Sequence, residues 1–413
     1  MQPQSATAVR SAGLVPVPLR FPDFRVLWLS AIVTGAGFLG ERIVIGWYLL
    51  EETDSPFSVG LGLGLSMIPN LLLGVPAGVL ADRFDRRILI RLSGFSSALN
   101  VAVLGGLSVA GVLEVWQVLV LSFAGGCLRT LGSPARQTYA FDVVGPAHVV
   151  AAMATMNLGQ RVGGIVGSLS MGVVLAAWGV GPALLAIACA HAVSALVILF
   201  ARSRGQSAPA SDRPKPFWSG FSEYAGEIKR NRTLALLIFL TASVEVLGFS
   251  FQALLPSIAR DRLDTGAGGL GFLNAMTAVG GLASVAFVTL RGDLEHKGIA
   301  FLIVLQAFGL AMIALGQGGT VLLAGAACLA VASLAALSDL LTQSLVQAAV
   351  PNELRGRAMG SWSLAIGIGP VGTLQIGAVA ATLGITVALT ANGLVLLALG
   401  VASLVVSKRL RQL

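Results

Sequence analysis

Glu41, Arg42, Arg129, Arg161 and Glu245 each fall well inside long apolar runs of this 413-residue chain. An ionised side chain at the centre of a bilayer costs roughly 2.5–3.5 kcal/mol on insertion scales, so such residues are expected to face a cavity or pair with one another. The chemistry open to them is the handling of charge and protons. A carboxyl in a low-dielectric cavity holds its proton more readily and a nearby arginine opposes this, so cargo or conformation can switch its protonation. Glu41 and Glu245 are the candidate proton carriers, with Glu245 first because no charged residue adjoins it in sequence. Glu41 lies beside Arg42, but adjacent helical positions point about 100° apart, so the two neutralise each other only in part. The competing reading is a set of static Glu–Arg pairs that hold helices together. Asp339, close to the end of its run, is expected on a solvated face, and His191 is expected as a satisfied core histidine.

Other chemistries have no residues to carry them. The sequence has no His/Asp/Glu cluster at metal-ligand spacing, no serine nucleophile elbow and no Walker A loop, so neither a membrane enzyme nor an ATP-driven pump is expected. No cofactor is expected, and a proton gradient is the expected driving force. Cys127, Cys189 and Cys328 lie in apolar runs without ligand spacing and are read as inert thiols. An inert scaffold or sensor has little use for buried charges.

Residues 78–89, Gly-Val-Leu-Ala-Asp-Arg-Phe-Asp-Arg-Arg-Ile-Leu, join two membrane-length runs through a short charged turn. So short a turn makes the flanking helices antiparallel neighbours, and Arg83, Arg86, Arg87 and Arg91 fix it on the cytoplasmic side. Composition places the whole chain in a membrane: 55% of residues are hydrophobic and 11% are charged. The 51 glycines fit close helix packing in lipid. The net charge of +8 is a topology signal and not a nucleic-acid footprint. Arg42, Arg129 and Arg161 lie in apolar runs and Arg260 and Arg262 in an outer loop. The remaining Lys and Arg gather at the termini and in alternate loops, which places both termini inside. Residues 1–20 lack an apolar core, so no cleavable signal peptide is expected there.

The apolar runs are read as twelve membrane helices: 25–50, 59–80, 88–109, 116–139, 149–177, 182–200, 233–258, 268–290, 299–315, 321–347, 359–383 and 385–407. They divide the chain into a tail (1–24), a six-helix bundle (25–201), a polar linker (202–232), a second six-helix bundle (233–407) and a short tail (408–413). Within the linker, the amphipathic stretch 217–228 reads as a short helix lying on the bilayer surface. Gln137 and Met153 recur as Gln343 and Met359, and Gly60-Leu61-Gly62 recurs as Gly269-Leu270-Gly271. Duplicated halves of this kind flank a midplane binding site.

The loop at Gly78, Leu80, Ala81, Asp82, Arg83, Arg86 and Arg87 resembles the signature between helices 2 and 3 of the major facilitator superfamily, with Asp85 in place of its second glycine. The resemblance implies an all-α integral membrane fold of twelve transmembrane helices in two pseudo-symmetric six-helix bundles. It also implies a conformational latch formed by Gly78, Asp82, Arg83, Arg86 and Arg87, with Asp82 facing the N-terminus of helix 11. Charged residues of the loop that merely sit in water are the alternative. Arg129, in Arg-Thr-Leu-Gly-Ser-Pro, resembles the helix-4 arginine motif of proton-coupled members. The glycine-rich stretch from Asn157 to Gly172 resembles an antiporter motif whose Gly-Pro is replaced here around Gly167-Ser168.

Taken over nearly its whole length, the chain is similar to the bacterial branch of enterobactin and macrolide exporters. That branch implies proton-coupled export of a mid-sized organic molecule such as a siderophore or drug, across the bacterial cytoplasmic membrane, by a monomer whose partners are its substrate, protons and lipid. A lysophospholipid or amphiphile transporter, or an importer, is the alternative. Asn70, Gln252, Asn274, Gln306 and Gln375 are the candidate cavity liners.

Overall fold

The computed structural model describes residues 16–203, 231–291, 296–350 and 355–412, without the side chains of Val75, Asp82, Val150, Thr289 and residues 355–357. Most of the linker expected at 202–232, with its surface helix, lies outside the described residues. Twelve helices among the described residues are long and apolar enough to cross a membrane. They are α1 (Pro22–Thr53), α2 (Pro56–Arg83), α3 (Arg86–Val109), α4 (Val115–Val144), α5 (Val149–Trp178) and α6 (Val180–Val197) in one half. The other half holds α7 (Arg232–Arg262), α8 (Gly266–Arg291), α9 (Lys297–Gln317), α10 (Val321–Ala348), α11 (Arg355–Gly367 continuing as Gly369–Leu383) and α12 (Ile385–Val406).

Local sequence sets the helix ends. Asp85 caps α3 by accepting from the Arg87 backbone N–H at 2.9 Å, Asn231 caps α7 through Leu234 N at 3.1 Å, and Thr320 caps α10. Pro22 and Pro56 stand in the first turns of α1 and α2, where a missing N–H costs nothing. Two runs expected to be continuous are not. α7 passes through π-helix at Val244–Gly248, 3-10 helix at Phe249–Leu254 and π-helix again at Ile258–Arg262. That last turn carries Arg260 and Arg262, which were expected in a loop. α11 breaks at Ile368, two residues before Pro370, whose ring cannot follow an uninterrupted helical turn.

Each half packs on itself, α1 on α5, α2 on α4 and α3 on α6, then α8 on α10 and α9 on α12. The glycine-rich stretch of α5 is one such surface. A Cβ added at Gly163 would strike the Ile32 carbonyl and one at Gly167 the Ala36 backbone, so these glycines let α5 approach α1 at backbone contact. Leu72, Leu99, Val173 and Leu290 remain exposed on the outside, where acyl chains replace water. Of the three cysteines read as inert thiols in apolar runs, Cys328 is buried, Cys127 is half-buried and Cys189 is exposed.

The start of α1 and the end of α12 share one face. Asp23 at the start of α1 accepts from the backbone N–H groups of Arg202 and Ser203, just beyond α6, at 3.0 and 2.7 Å. Gly298 at the start of α9 packs against the carbonyl of Leu410, just beyond α12. We call this the terminal face.

The halves meet along two seams, α2 with α11 and α5 with α8. Both are tightest toward the opposite face. A Cβ at Gly377 would lie 2.8 Å from the Pro56 carbonyl oxygen, and one at Gly172 2.9 Å from the Gly271 Cα. Toward the terminal face, Gly74 and Gly78 of α2 have nothing within 4 Å among the described residues. Among the described residues the bundles are therefore closed together on one side and parted on the other.

Candidate functional site

Between the parted halves lies a cavity of about 560 Å³. Helical spacing builds its walls. Arg129, Gly132, Ser133 and Arg136 recur at i, i+3, i+4 and i+7 along α4, and Ala332, Ala335, Ala336 and Asp339 do so along α10. Small residues at three of the four α10 positions leave the room that the cavity occupies.

The N-terminal wall holds an ion cluster. Arg129 Nη1 of α4 donates to both carboxylate oxygens of Glu41 of α1, at 3.1 and 3.3 Å. His191 of α6 brings Nε2 to 3.6 Å from the second oxygen, and this buried nitrogen has no closer hydrogen-bond partner among the described residues. Phe38 carries two cations on its ring, with the Arg129 and Arg42 guanidinium carbons 5.3 and 5.8 Å from its centroid. Arg42 then crosses the space between the halves to donate from Nη2 to Gln252 Oε1 of α7 at 2.5 Å.

Nearer the terminal face, Arg136 donates to Ser30 Oγ at 2.9 Å, and Ser30 joins Ser194 and Thr34 in a hydroxyl chain. Arg161 of α5 reaches over Gly281 of α8 and acts electrostatically on Asp339 of α10 without a direct ion pair. A side chain at position 281 would close that passage.

Of the expected liners, Gln252 and Asn274 face the cavity. The structure does not bring Asn70, Gln306 or Gln375 to it. Asn70 is exposed on α2, the Gln306 Cγ lies against Gly400 where α9 meets α12, and Gln375 is committed to Asn392 at 3.2 Å within the C-terminal bundle. Each sits on a helix face set by packing, which polarity alone does not reveal.

Glu245 is buried in the π-helical turn of α7, beside the α2–α11 seam. Its Oε2 lies 3.6 Å from the position of a Cβ at Gly369. Among the described residues no cation pairs with it, and its electrostatic neighbour is Asp339. π-Helical turns insert a residue into the ladder and are frequent at functional sites.

Three residues belong to the site against expectation. Asp339 lines the cavity instead of a solvated face, His191 faces Glu41 instead of resting satisfied in the core, and Arg136 joins the N-terminal wall. The i, i+3, i+4, i+7 spacing with Ala332 and with Arg129 was the available signal for Asp339 and Arg136. Nothing in the sequence placed His191 against Glu41.

The charged turn is largely tied down inside its own half. Arg86 forms an ion pair with Asp142 of α4 and donates to the Ala81 carbonyl at 3.2 Å. Arg87 binds Asp85 at 2.9 Å and the Arg202 carbonyl at 3.0 Å. The Arg87 guanidinium beside Asp85 holds that carboxyl below the usual carboxylate range. Arg83 is exposed, and the Asp82 side chain lies outside the described residues.

The family described as transmembrane secretion effector matches residues 15–412. The enterobactin exporter EntS of Escherichia coli O139:H28 is 26% identical over 404 residues, covering 95% of this chain and 93% of the exporter. The crystal structure of the nucleoside transporter NupG superposes with a TM-score of 0.77 at 12% identity, covering 93% of this chain and 98% of that one. A bacterial homologue of the human lysosomal transporter Spinster, solved inward-facing and unoccupied, superposes with a TM-score of 0.69 at 16% identity, covering 94% and 98%. These two structural likenesses speak to the fold.

Proposed function

Because the chain belongs to the transmembrane secretion effector family of major facilitator superfamily transporters, we propose that it is a secondary active exporter of a mid-sized organic molecule, such as a siderophore or drug, driven by proton exchange. The single observation that carries this reading is the cavity of about 560 Å³ between two bundles sealed on one side and parted on the other. Its volume lies in the roughly 300–1,000 Å³ range of small-molecule sites. Similarity to an enterobactin exporter over nearly the whole chain supports the direction and the siderophore-like class of cargo.

In this reading the terminal face is cytoplasmic, the membrane is the bacterial inner membrane, and the state described is loaded from inside. Rocking the halves about the cavity would part the tight seams and close the terminal face. Closure brings Asp82, at the end of α2, toward the N-terminal end of α11, whose dipole favours a carboxylate by about 0.3–1 kcal/mol when exposed and up to 2 when partly buried. A latch of that size leaves two states near balance. Glu245, buried beside the seam with no cation paired to it among the described residues, is the carboxyl that takes up and releases the proton. Glu41, held by Arg129 and close to His191, sets the geometry of the opposite wall.

Everted membrane vesicles test this. Energised vesicles should accumulate a labelled siderophore or drug from a panel, and an uncoupler should abolish the uptake. The Glu245→Gln variant should lose dependence on the pH gradient. Unchanged gradient dependence in E245Q removes the proton assignment, and no energised uptake across the panel removes the exporter reading.

A further inference from the structure

The cavity carries more positive charge than its own carboxylates answer. Four guanidinium groups reach its wall, from Arg42, Arg129, Arg136 and Arg161. Arg129 is paired with Glu41, and Arg161 has Asp339 as its electrostatic counterpart. Arg42 and Arg136 have only neutral oxygens for hydrogen-bond acceptors among the described residues, the amide of Gln252 at 2.5 Å and the hydroxyl of Ser30 at 2.9 Å. Each of these bonds uses one of the five N–H donors of a guanidinium. Withdrawing a cation from water without supplying an anion is costly, and the cost is recovered when an anion arrives.

The two lie at different depths. Arg136 stands seven residues beyond Arg129 toward the terminal face, about 10 Å along α4 at 1.5 Å per residue. Arg42 lies deeper, between the Phe38 ring and Gln252, with Phe249 also on the cavity wall. A cation near the opening draws an anion inward, and a second cation beside an aromatic ring holds an acidic group attached to an apolar body.

We propose that the cargo is an organic anion, a carboxylate or phenolate on an apolar ring system, drawn in past Arg136 and held by Arg42 against Phe38. This rests on the transporter reading and narrows it to one chemical class. Arg136 and Arg42 act as specificity residues, and their charge, without a carboxylate partner among the described residues, excludes cationic cargo by repulsion.

Three probes with one ring system and different charge test it on the purified full-length protein: naphthaleneacetate, naphthaleneethanol and naphthaleneethylamine. Naphthaleneacetate should bind at least about tenfold more tightly than the alcohol, and Arg42→Gln or Arg136→Gln should each remove most of that preference, as loss of one partner of a desolvated charged contact does. Binding of the alcohol should change less than twofold. Arg42→Lys and Arg136→Lys keep the charge and should retain part of the preference, which separates loss of charge from loss of fold. Equal binding of alcohol or amine overturns the inference, as does failure of all three probes to bind. Energised uptake of the alcohol or amine into everted vesicles overturns it while leaving the exporter reading intact.

Discussion

Arg260 of α7 reaches across to α1, forming an ion pair with Asp54 and donating from Nη1 to the Leu50 carbonyl at 2.9 Å. Asp54 sits in the left-handed region at φ 47°, as the C-terminal cap of α1. The contact therefore joins the end of the first bundle's first helix to the end of the second bundle's first helix, on the face away from the termini. It is a clasp on the sealed side.

Breaking that clasp should favour the opposite state by a modest amount. The Asp54 side chain is 85% exposed, and exposed ion pairs contribute about 0.2–1 kcal/mol. Asp54→Asn should shift the balance of states by less than about fivefold, by the conversion of about 1.4 kcal/mol per factor of ten. Arg260→Gln, which also removes the guanidinium bond to the Leu50 carbonyl, should shift it further. Spin-label distances between the α2 and α11 ends on that face measure the shift. An unchanged distance distribution in R260Q excludes a clasp.

The Asp82 latch predicts a defect of transport without a defect of assembly. Asp82→Asn should impair vesicle uptake while membrane insertion and yield stay normal, because a latch worth about 0.3–2 kcal/mol biases states without holding the fold. Wild-type uptake by D82N discards the latch.

The Glu41–Arg129 pair is expected to matter for folding as well as function. The Glu41 side chain is 6% exposed and Arg129 26%. Removing one partner of a buried pair costs about 3–5 kcal/mol because the other charge is left stranded. Glu41→Ala should therefore lower the thermal unfolding temperature of the purified protein markedly. The double variant Glu41→Gln/Arg129→Gln should recover much of the loss. Equal melting of single and double variants shows that the two side chains are not coupled.

Asp85 links the charged turn to pH. Its carboxylate is stabilised by hydrogen bonding to Arg87, so its folded-state pKa lies below the unfolded one. The stability it contributes is present above the ordinary carboxylate range and is lost as pH falls through the lower, folded value. Asp85→Ala should cost about 0.5–2 kcal/mol as a lost helix cap. The difference from wild type should shrink under strongly acidic conditions. Melting curves of both proteins from neutral to acid pH measure it, and a gap constant with pH excludes the ionised cap.

How much of the site was legible depended on the residue. Glu41, Arg42, Arg129 and Arg161 were conspicuous because each is a charge within an apolar run, and the structure sets all four on or just behind the cavity wall. Asp339 carries the same signal, but it lies close to a run's end, where sequence cannot distinguish a solvated tip from a wall of the cavity. Gln306 and Gln375 are polar too, yet both turn into contacts within the C-terminal bundle. A side chain's polarity is local, whereas the direction it faces is set by the helices on either side.

Hydropathy was enough to determine the twelve crossings, and the polar linker with the charged turn at 78–89 pointed to a six-plus-six plan. These are properties of consecutive residues, and a bilayer admits few ways to satisfy the backbone of such runs. Tertiary structure alone decided that His191 meets Glu41, that Arg42 bridges to Gln252, and that the seams are tight on one face and parted on the other. Those relationships span 150 and 210 positions of chain and, at the two seams, about 100 and more than 300. They arise where small residues let helices approach and larger ones hold them apart, a balance that no single run contains.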